Sequence, residues 1–403
     1  MANTYTMQKQ AARNLVLSTK VQTTWGEYLA DAYLTLRQRF NPSTVFTKEP
    51  ARRSDQMAAG KGTEFATNTQ VTAWDTKGTI TSEADAELLG WMLAMLFGID
   101  TATGSGAPYT HNFTIPLINA TMPATTIYVE ETADQKFEYC DMAASSLSLT
   151  VPERGAITAA LDMVGTGRWK LYTLSTMPTT PALVAANYLM GSDVQVTINL
   201  PPVGFSGTST SGSTTIASVS SIAGLAYGQF VTGSGVPSNT TILSASGTSV
   251  VLSNAAIASG TTTFSAVTST PFVGRQHGLS IKIDRQAKPF QSSGEGLYSA
   301  SVASGITKFS VDFTIAANET DDVNQWFETQ EQLSITIATN PLNTYQMSFT
   351  FPLAYVKANK LTNTEDKVMW ALSFDETSCV QSGSTPAIGA MAITNTPAYL
   401  VAV

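Results

Sequence analysis

Thr79-Ile-Thr-Ser-Glu-Ala-Asp-Ala-Glu-Leu-Leu-Gly-Trp91 and Thr314-Ile-Ala-Ala-Asn-Glu-Thr-Asp-Asp-Val-Asn-Gln-Trp326 decide the reading of this chain. Each starts as the end of a strand and runs into an acidic stretch suited to a first helical turn, where carboxylates favour the helix dipole. Each then reaches a tryptophan that opens the helix body. Downstream, Tyr109-Thr-His-Asn-Phe-Thr-Ile-Pro116 is matched by Tyr345-Gln-Met-Ser-Phe-Thr-Phe-Pro352. Both copies close on an alternating strand, at 156–164 and at 367–374. A repeat of this length is a duplicated domain and not a solenoid unit. A duplicated β-rich chain without chemical motifs suggests a building block.

Composition points the same way. The 403 residues allow two to three domains, each with its own core. Only 13% are charged and 43% are hydrophobic, which suits β-structure whose surface is partly buried against neighbours. The net charge of −8 gives no support to phosphate-neutralising DNA binding, which needs a basic face. Cys140 and Cys379 are open to two readings, a disulfide or two lone thiols in a reducing cytoplasm, the latter being the simpler. The most apolar run, Leu88 to Phe97, is too short to span a bilayer and predicts a buried helix. The first residues show no apolar region after a basic one, so no secretion signal is expected.

Along the chain, residues 1–40 carry a polar leader and then 25–37, whose spacing is ambiguous between a helical turn and a strand. Residues 41–73, with Pro42, Pro50, Gly60 and Gly62, read as a long excursion that is either functional or ordered by a partner. Thr81 or Ser82 is the expected N-cap of the first helix, with Glu83, Asp85 and Glu87 in or near its first turn. A hairpin follows: Ser146 to Val151, a turn at Pro152-Glu-Arg-Gly155, and a return strand. In the second copy, four apolar stripes mark half-buried strands: Val194 to Leu200, Leu279 to Ile283, Phe309 to Ile315, and Val368 to Phe374. A second, more polar helix is expected over Asp321 to Gln330.

From Val194 to Gly274 there is no Asp, Glu, Lys or Arg. Within that stretch Thr214 to Val219, Gln229 to Thr232, Thr240 to Leu243, Ser249 to Leu252 and Thr261 to Phe264 recur between Gly, Asn or Pro turns. The β-branched density argues against disorder and for a small all-β module.

A search for chemistry finds no catalytic, cofactor-binding or metal set. His111 and His277 lie in strand-like contexts, no Gly-x-Ser-x-Gly elbow places a serine, and no Cys/His pair has metal spacing. Gly60-Lys-Gly-Thr63 imitates a phosphate loop, but Asp55 occupies the place of the upstream Gly and Gly62 stands where Ser or Thr should follow the Lys. Glu130, Glu131, Glu319, Asp321 and Asp322 are read as caps and solvated turns. The basic concentration, Arg37, Arg39, Arg52, Arg53 and Lys61, suits salt bridges to an acidic neighbouring subunit. Arg52, Arg53 and Lys61 are therefore the inter-subunit contact candidates.

Tyr-x-x-x-Phe-Thr-x-Pro at 109–116, Phe137-Glu-Tyr-Cys-Asp-Met, Ser145-Ser-Leu-Ser-Leu-Thr-Val and Ala159-Ala-Leu-Asp-Met-Val-Gly-Thr-Gly167 together resemble the major tail tube proteins of long, non-contractile (siphovirus-like) phage tails. Ser304 to Thr314 and Tyr345 to Tyr355 resemble matching strands of that family. The resemblance implies a mainly β chain of two tandem tail-tube-like β-sandwich or barrel domains, each with one flanking α-helix, plus the inserted β-module. The expected boundaries are 1–185 for the first domain, 186–203 with 271–380 for the second, 204–270 for the insertion, and 381–403 for a C-terminal arm that pairs with a neighbouring subunit.

The implied function is a structural virion protein, not an enzyme. It self-assembles into stacked rings that form the tail tube, the conduit for DNA ejection. It would be assembled in the host cytoplasm and located in the virion tail. The expected partners are the chain itself, a tape measure protein and tail-tip or terminator proteins, with DNA passing unspecifically, no cofactor and no membrane. Two copies per chain imply a homotrimeric, pseudo-hexameric ring. The alternative is a phage surface or decoration protein whose inserted module binds a glycan, on fold-level analogy.

Overall fold

The computed structural model of the chain describes residues 14–38, 44–54, 69–98, 100–103, 107–114, 122–132, 135–171, 187–271, 276–294, 296–317, 323–364, 367–379 and 390–395. The first half supplies β1 (Asn14–Ser18), β2 (Leu34–Gln38), β3 (Val45–Ser54), β4 (Thr69–Glu83), α1 (Ala86–Phe97), β5 (Asp100–Thr103), β6 (Tyr109–Phe113), β7 (Ala124–Thr132), β8 (Gln135–Val151), β9 (Thr158–Gly165) and β10 (Trp169–Leu171). Next come β11 (Val194–Asn199), β12 (Val203–Ser209), β13 (Thr215–Ile216), β14 (Phe230–Gly233), β15 (Ile242–Ser246), β16 (Ser249–Leu252), β17 (Gly260–Val267) and β18 (Ser269–Pro271). The second half adds β19 (Gln276–Asp284), β20 (Lys288–Phe290), β21 (Ser301–Ala303), β22 (Lys308–Ala316), α2 (Val323–Glu328), β23 (Leu333–Thr339), β24 (Gln346–Ala354), β25 (Ala358–Thr364), β26 (Lys367–Asp375) and β27 (Ala390–Asn395).

One large antiparallel sheet runs β3-β4-β9-β8-β19-β22-β26-β25 through both halves. The long strand β8 is shared. Its first part, 135–143, pairs with β7, which carries β1 and β2 outward, and its later part, 146–151, pairs on that same side with β19. A second sheet runs β18-β11-β23-β24-β27-β6-β5 and also draws on both halves. Among the described residues neither sheet closes into a barrel.

Helix α1 lies between the two sheets, touching β8 on one side and β27 and β6 on the other. That position explains why it is apolar all round: every residue but Glu87 is buried, and Trp91, Met92 and Leu93 are fully so. Asp85 is its N-cap, accepting from the N–H of Glu87 at 3.0 Å and of Leu88 at 2.8 Å. The expected caps Thr81 and Ser82 instead sit in β4, opposite Ala160 and Ala159; strand pairing carries the chain further than the capping pattern suggests. Gly98, at φ 81, ends the helix in the left-handed region, its N–H bonded to Ala94 O. The expected second helix is shorter, Val323–Glu328, and Asp321 and Asp322 lie outside the described residues.

Three further expectations are revised. Of the excursion at 41–73, residues 45–54 and 69–73 belong to the antiparallel pair β3–β4 and 55–68 lie outside the described residues; among the described residues the charged, proline-containing β3 is an edge strand, the place where proline is tolerated. The ambiguous 25–37 segment resolves into a short 3-10 turn at Asp31–Tyr33 followed by β2. Within the C-terminal arm, β27 fills the gap between β24 and β6 of its own chain, burying Met391 and Ile393, and 381–389 and 396–403 lie outside the described residues.

The uncharged insertion forms two three-stranded sheets, β12-β17-β14 and β13-β16-β15. It has its own core, centred on the stacked pair Phe205 and Phe264, separate from the single large core that both halves of the body share. The body resumes at β18, which pairs with β11 across Thr197–Pro271.

Candidate assembly surface

The join between the halves is a strand pair. Leu279 lies opposite Val151, Ile281 opposite Leu149 and Ile283 opposite Leu147, and all six side chains point into the core. The flanking order repeats on either side: β3-β4-β9-β8 in the first half and β19-β22-β26-β25 in the second, with α1 following β4 and α2 following β22. Register agrees with the repeated sequence. Ile80 pairs with Leu161, which pairs with Leu147; Ile315 pairs with Trp370, which pairs with Leu361. Trp91 and Trp326, at matching places in the two repeated stretches, both lie in the helices and are buried. The second sheet does not share this order, so the correspondence belongs to the large sheet.

Both ends of this eight-strand run stay open, β3 pairing only with β4 and β25 only with β26 among the described residues, while β2 ends the separate β7-β1-β2 branch. Their positions have occupied counterparts at the join, β19 for β3 and β8 for β25. Leu147 on β8 is 1% exposed, whereas Leu361 on β25 is 52% exposed, as is its neighbour Val368. An open edge with exposed apolar groups is a template for another strand.

Several contacts lock the join. Arg285, just beyond β19, is buried and donates from Nη1 to the Leu96 carbonyl at 2.6 Å, satisfying the last turn of α1 from the other half. Burial pushes its pKa down from the ordinary arginine value. His277 Nδ1 meets Glu153 Oε1 at 2.5 Å, tying the start of β19 to the β8–β9 turn. Asp141, fully buried, is held at φ 59, a left-handed conformation that costs a non-glycine residue energy and that only its bonds maintain. It accepts from Gln22 Nε2 at 3.0 Å, Gly26 N at 2.8 Å, Arg168 Nη1 at 3.2 Å and the Thr166 hydroxyl. Arg168 in turn donates to the Ser299 carbonyl at 3.0 Å, so this hub spans both halves.

The face of the large sheet turned away from the core is polar and low in relief. Thr79, Asp162, Ser146, Asp284 and Lys308 form one row across five strands; Ala160, Ser148, Lys282, Ser310 and Asp375 form the next. Asp162 accepts at 2.7 Å from both Thr79 Oγ1 and Ser146 Oγ. None of β4, β9, β19, β22 or β26 contains an arginine. The charges are of both signs, not the carboxylates alone that an acidic chain suggests. At the far corner Lys357 pairs with Asp375; burial raises the Asp375 pKa, but hydrogen bonds from Lys357 and Thr377 outweigh it and hold the carboxyl at about 2.

Arg52 is exposed on the open strand β3, and the Arg53 backbone continues that strand opposite Gln70. Lys61, Arg39 and the Gly60–Thr63 loop lie outside the described residues. Arg37 turns inward to Asn14 Oδ1 at 2.6 Å, and Glu130 is engaged by Asn14 at 2.6 Å and by Lys136 at 3.2 Å. Residue-by-residue reading missed the uncharged part of the edge, above all Leu361 and Pro50. Pro50 was the available signal, because a proline inside an extended run marks an edge. Cys140 and Cys379 are free and buried; burial raises both thiols, that of Cys379 to about 12. Among the described residues no group of His, Cys, Asp and Glu is placed to hold a metal, and no helix is long and apolar enough to cross a membrane. No protein-family model matches this chain, and no curated protein matches it.

Proposed function

We propose that this chain is a self-assembling structural subunit that closes into stacked rings, as in the tail tube of a long, non-contractile phage tail. One observation carries the reading: the halves meet edge to edge at β8–β19, and the same two kinds of edge, β3 and β25, remain open at the ends of the sheet. A contact that joins unlike edges and repeats by rotation generates a ring. Ring closure pairs both of these edges. Two tandem domains then alternate around the ring, and three chains supply six positions.

In that ring the continuous polar face lines the bore. Short Ser and Thr side chains with dispersed Asp and Lys give passing DNA no run of arginines to hold its phosphates. The inserted module, with its own core, hangs from a single strand-to-strand connection and does not take part in closure. Electron microscopy of the purified protein tests the reading: hollow rings or tubes are expected, and a uniformly monomeric protein at high concentration contradicts it.

A second reading rests on the module. Tyr227 is 79% exposed on a surface that carries no charge, a setting in which a ring can stack on a sugar face. On this reading the protein is a surface or decoration component that holds a neutral glycan, and a glycan array probed with the full chain separates the two.

A further inference from the structure

We infer that β25 of one chain pairs antiparallel with β3 of a second copy in one defined register: Thr47 opposite Thr364, Lys48 opposite Asn363, Glu49 opposite Thr362, Pro50 opposite Leu361, and Ala51 opposite Lys360. The inference rests on the ring reading and adds the residues of its contact. It comes from transferring the internal join onto the open ends. Thr314 lies opposite His277 and Thr79 opposite Val45; past the register shift at Gly278, Leu279 and Phe46 hold equivalent places, and so do Ile283 and Pro50. On the other strand Leu147 and Leu361 are equivalent through Leu161 and Trp370. Since Ile283 faces Leu147 inside the chain, Pro50 faces Leu361 between chains.

Three independent features suit this register. Leu361 and Val368, both 52% exposed, lie on the core-side face near the open edge, and the pyrrolidine ring of Pro50 arrives on that same face. On the polar face Glu49 comes diagonal to Lys360, an opposite-charge arrangement that favours a cross-strand pair. Helix α2 does not stand in the way: it touches β25 as α1 touches β8, and β8 accepts β19 all the same.

Pro50 also limits what the edge accepts. The Trp74 N–H opposite it points away from β3, to the Leu297 carbonyl at 2.8 Å, so the groups of Pro50 face the open side. Its missing N–H therefore leaves the β3–β4 ladder intact and removes one donor from the outer edge. A strand docking there in any register meets this gap, and only one that brings a side chain to fill the apolar spot beside it gains compensation. Leu361 is that side chain.

Cysteine pairs in the full-length chain test the register. Glu49 and Thr362 would form a non-hydrogen-bonded pair, with Cα atoms about 4.5 Å apart, inside the reach of a disulfide, whereas diagonal neighbours at about 7–8 Å fall outside it. The double variant Glu49→Cys/Thr362→Cys, assembled and mildly oxidised, should give covalent multimers on a non-reducing gel, and Glu49→Cys/Lys360→Cys should not. Thr47→Cys/Thr364→Cys is a second in-register pair in case the first impairs folding. Cys140 and Cys379 stay in place as buried, unreactive thiols. Equal or stronger linking of the diagonal pair overturns the register. So does the absence of links in both in-register pairs when micrographs show tubes, an outcome that leaves the ring reading standing. Absence of links together with absence of tubes from the wild-type chain overturns both.

Discussion

Strands β8 and β25 hold the same place in the two halves of one sheet, yet one is interior and the other is an edge. Leu147 and Leu361 show the consequence. Each is the residue that crosses to the third strand of its half, but Leu147 is 1% exposed because β19 and α1 cover it, while Leu361 is 52% exposed with a shorter helix nearby. Equivalent sequence has been given unequal surroundings by the presence or absence of one neighbouring strand. The environment of β8 therefore describes what β25 lacks and what, in the proposed ring, a second copy supplies.

The most severe way to break the comparison is to truncate both leucines. Leu147→Ala should lower the stability of the chain by about 2–5 kcal/mol, the range for a buried leucine whose site collapses only partly. Leu361→Ala should change monomer stability by about 0.5 kcal/mol or less while weakening assembly. Urea unfolding beside light scattering separates the two effects, and equal losses of stability would mean that β25 is already covered.

Next in size, Asp141→Ala removes the hub in the part of β8 that pairs with β7, just before β19 takes over, and leaves Arg168 short of a carboxylate. A loss of about 3 kcal/mol is expected, measurable by chemical denaturation. Hydrogen exchange should rise at β8 and at the Ser299 segment and stay unchanged in the inserted module, whose core is separate. Gly78→Ala probes the β3 end. A Cβ there would lie 2.3 Å from the Phe46 ring, which crosses β4 over Gly78 to reach Tyr139. Overpacking of this kind costs about 1–3 kcal/mol, and it should lower assembly as well, because Phe46 holds β3 in place.

The smallest effect is electrostatic. Asp375 titrates lower in the folded chain, at about 2, than its unperturbed value of 3.8. Its contribution is therefore complete above pH 3.8 and lost as pH falls through 2. Lys357 lies at the surface, so screening keeps the loss below about 1 kcal/mol, and Asp375→Asn should flatten the acid limb of the stability curve by no more than that.

Much of the large sheet was legible because period-2 stripes such as Leu279, Ile281, Ile283 and Phe309, Val311, Phe313 report burial on one face directly. The helix from Ala86 to Phe97 was legible from its apolar run. What sequence did not show was pairing across long separations. Nothing local in Ala390 to Asn395 tells that it fills a slot between β24 and β6, and in β3 only Pro50 hints that a run with lysine, glutamate and arginines is an edge strand. Edge strands lose the alternation that marks interior ones, because one side of their hydrogen-bonding ladder has no neighbour and their side chains meet solvent. The candidate surface was for that reason the least readable part: Arg52 and Arg53 stand on β3, the strand of the proposed contact, but the residues that the join singles out, Pro50 and Leu361, carry no charge.

The central claim is that the internal β8–β19 contact repeats between chains until the sheet closes. The symmetry of a cryo-EM map of the assembled protein tests it most directly. The account predicts three chains per ring, with a near-six-fold inner wall in which intra-chain and inter-chain joins superimpose. A ring of six whole chains, or one in which β3 and β25 do not meet, would contradict it.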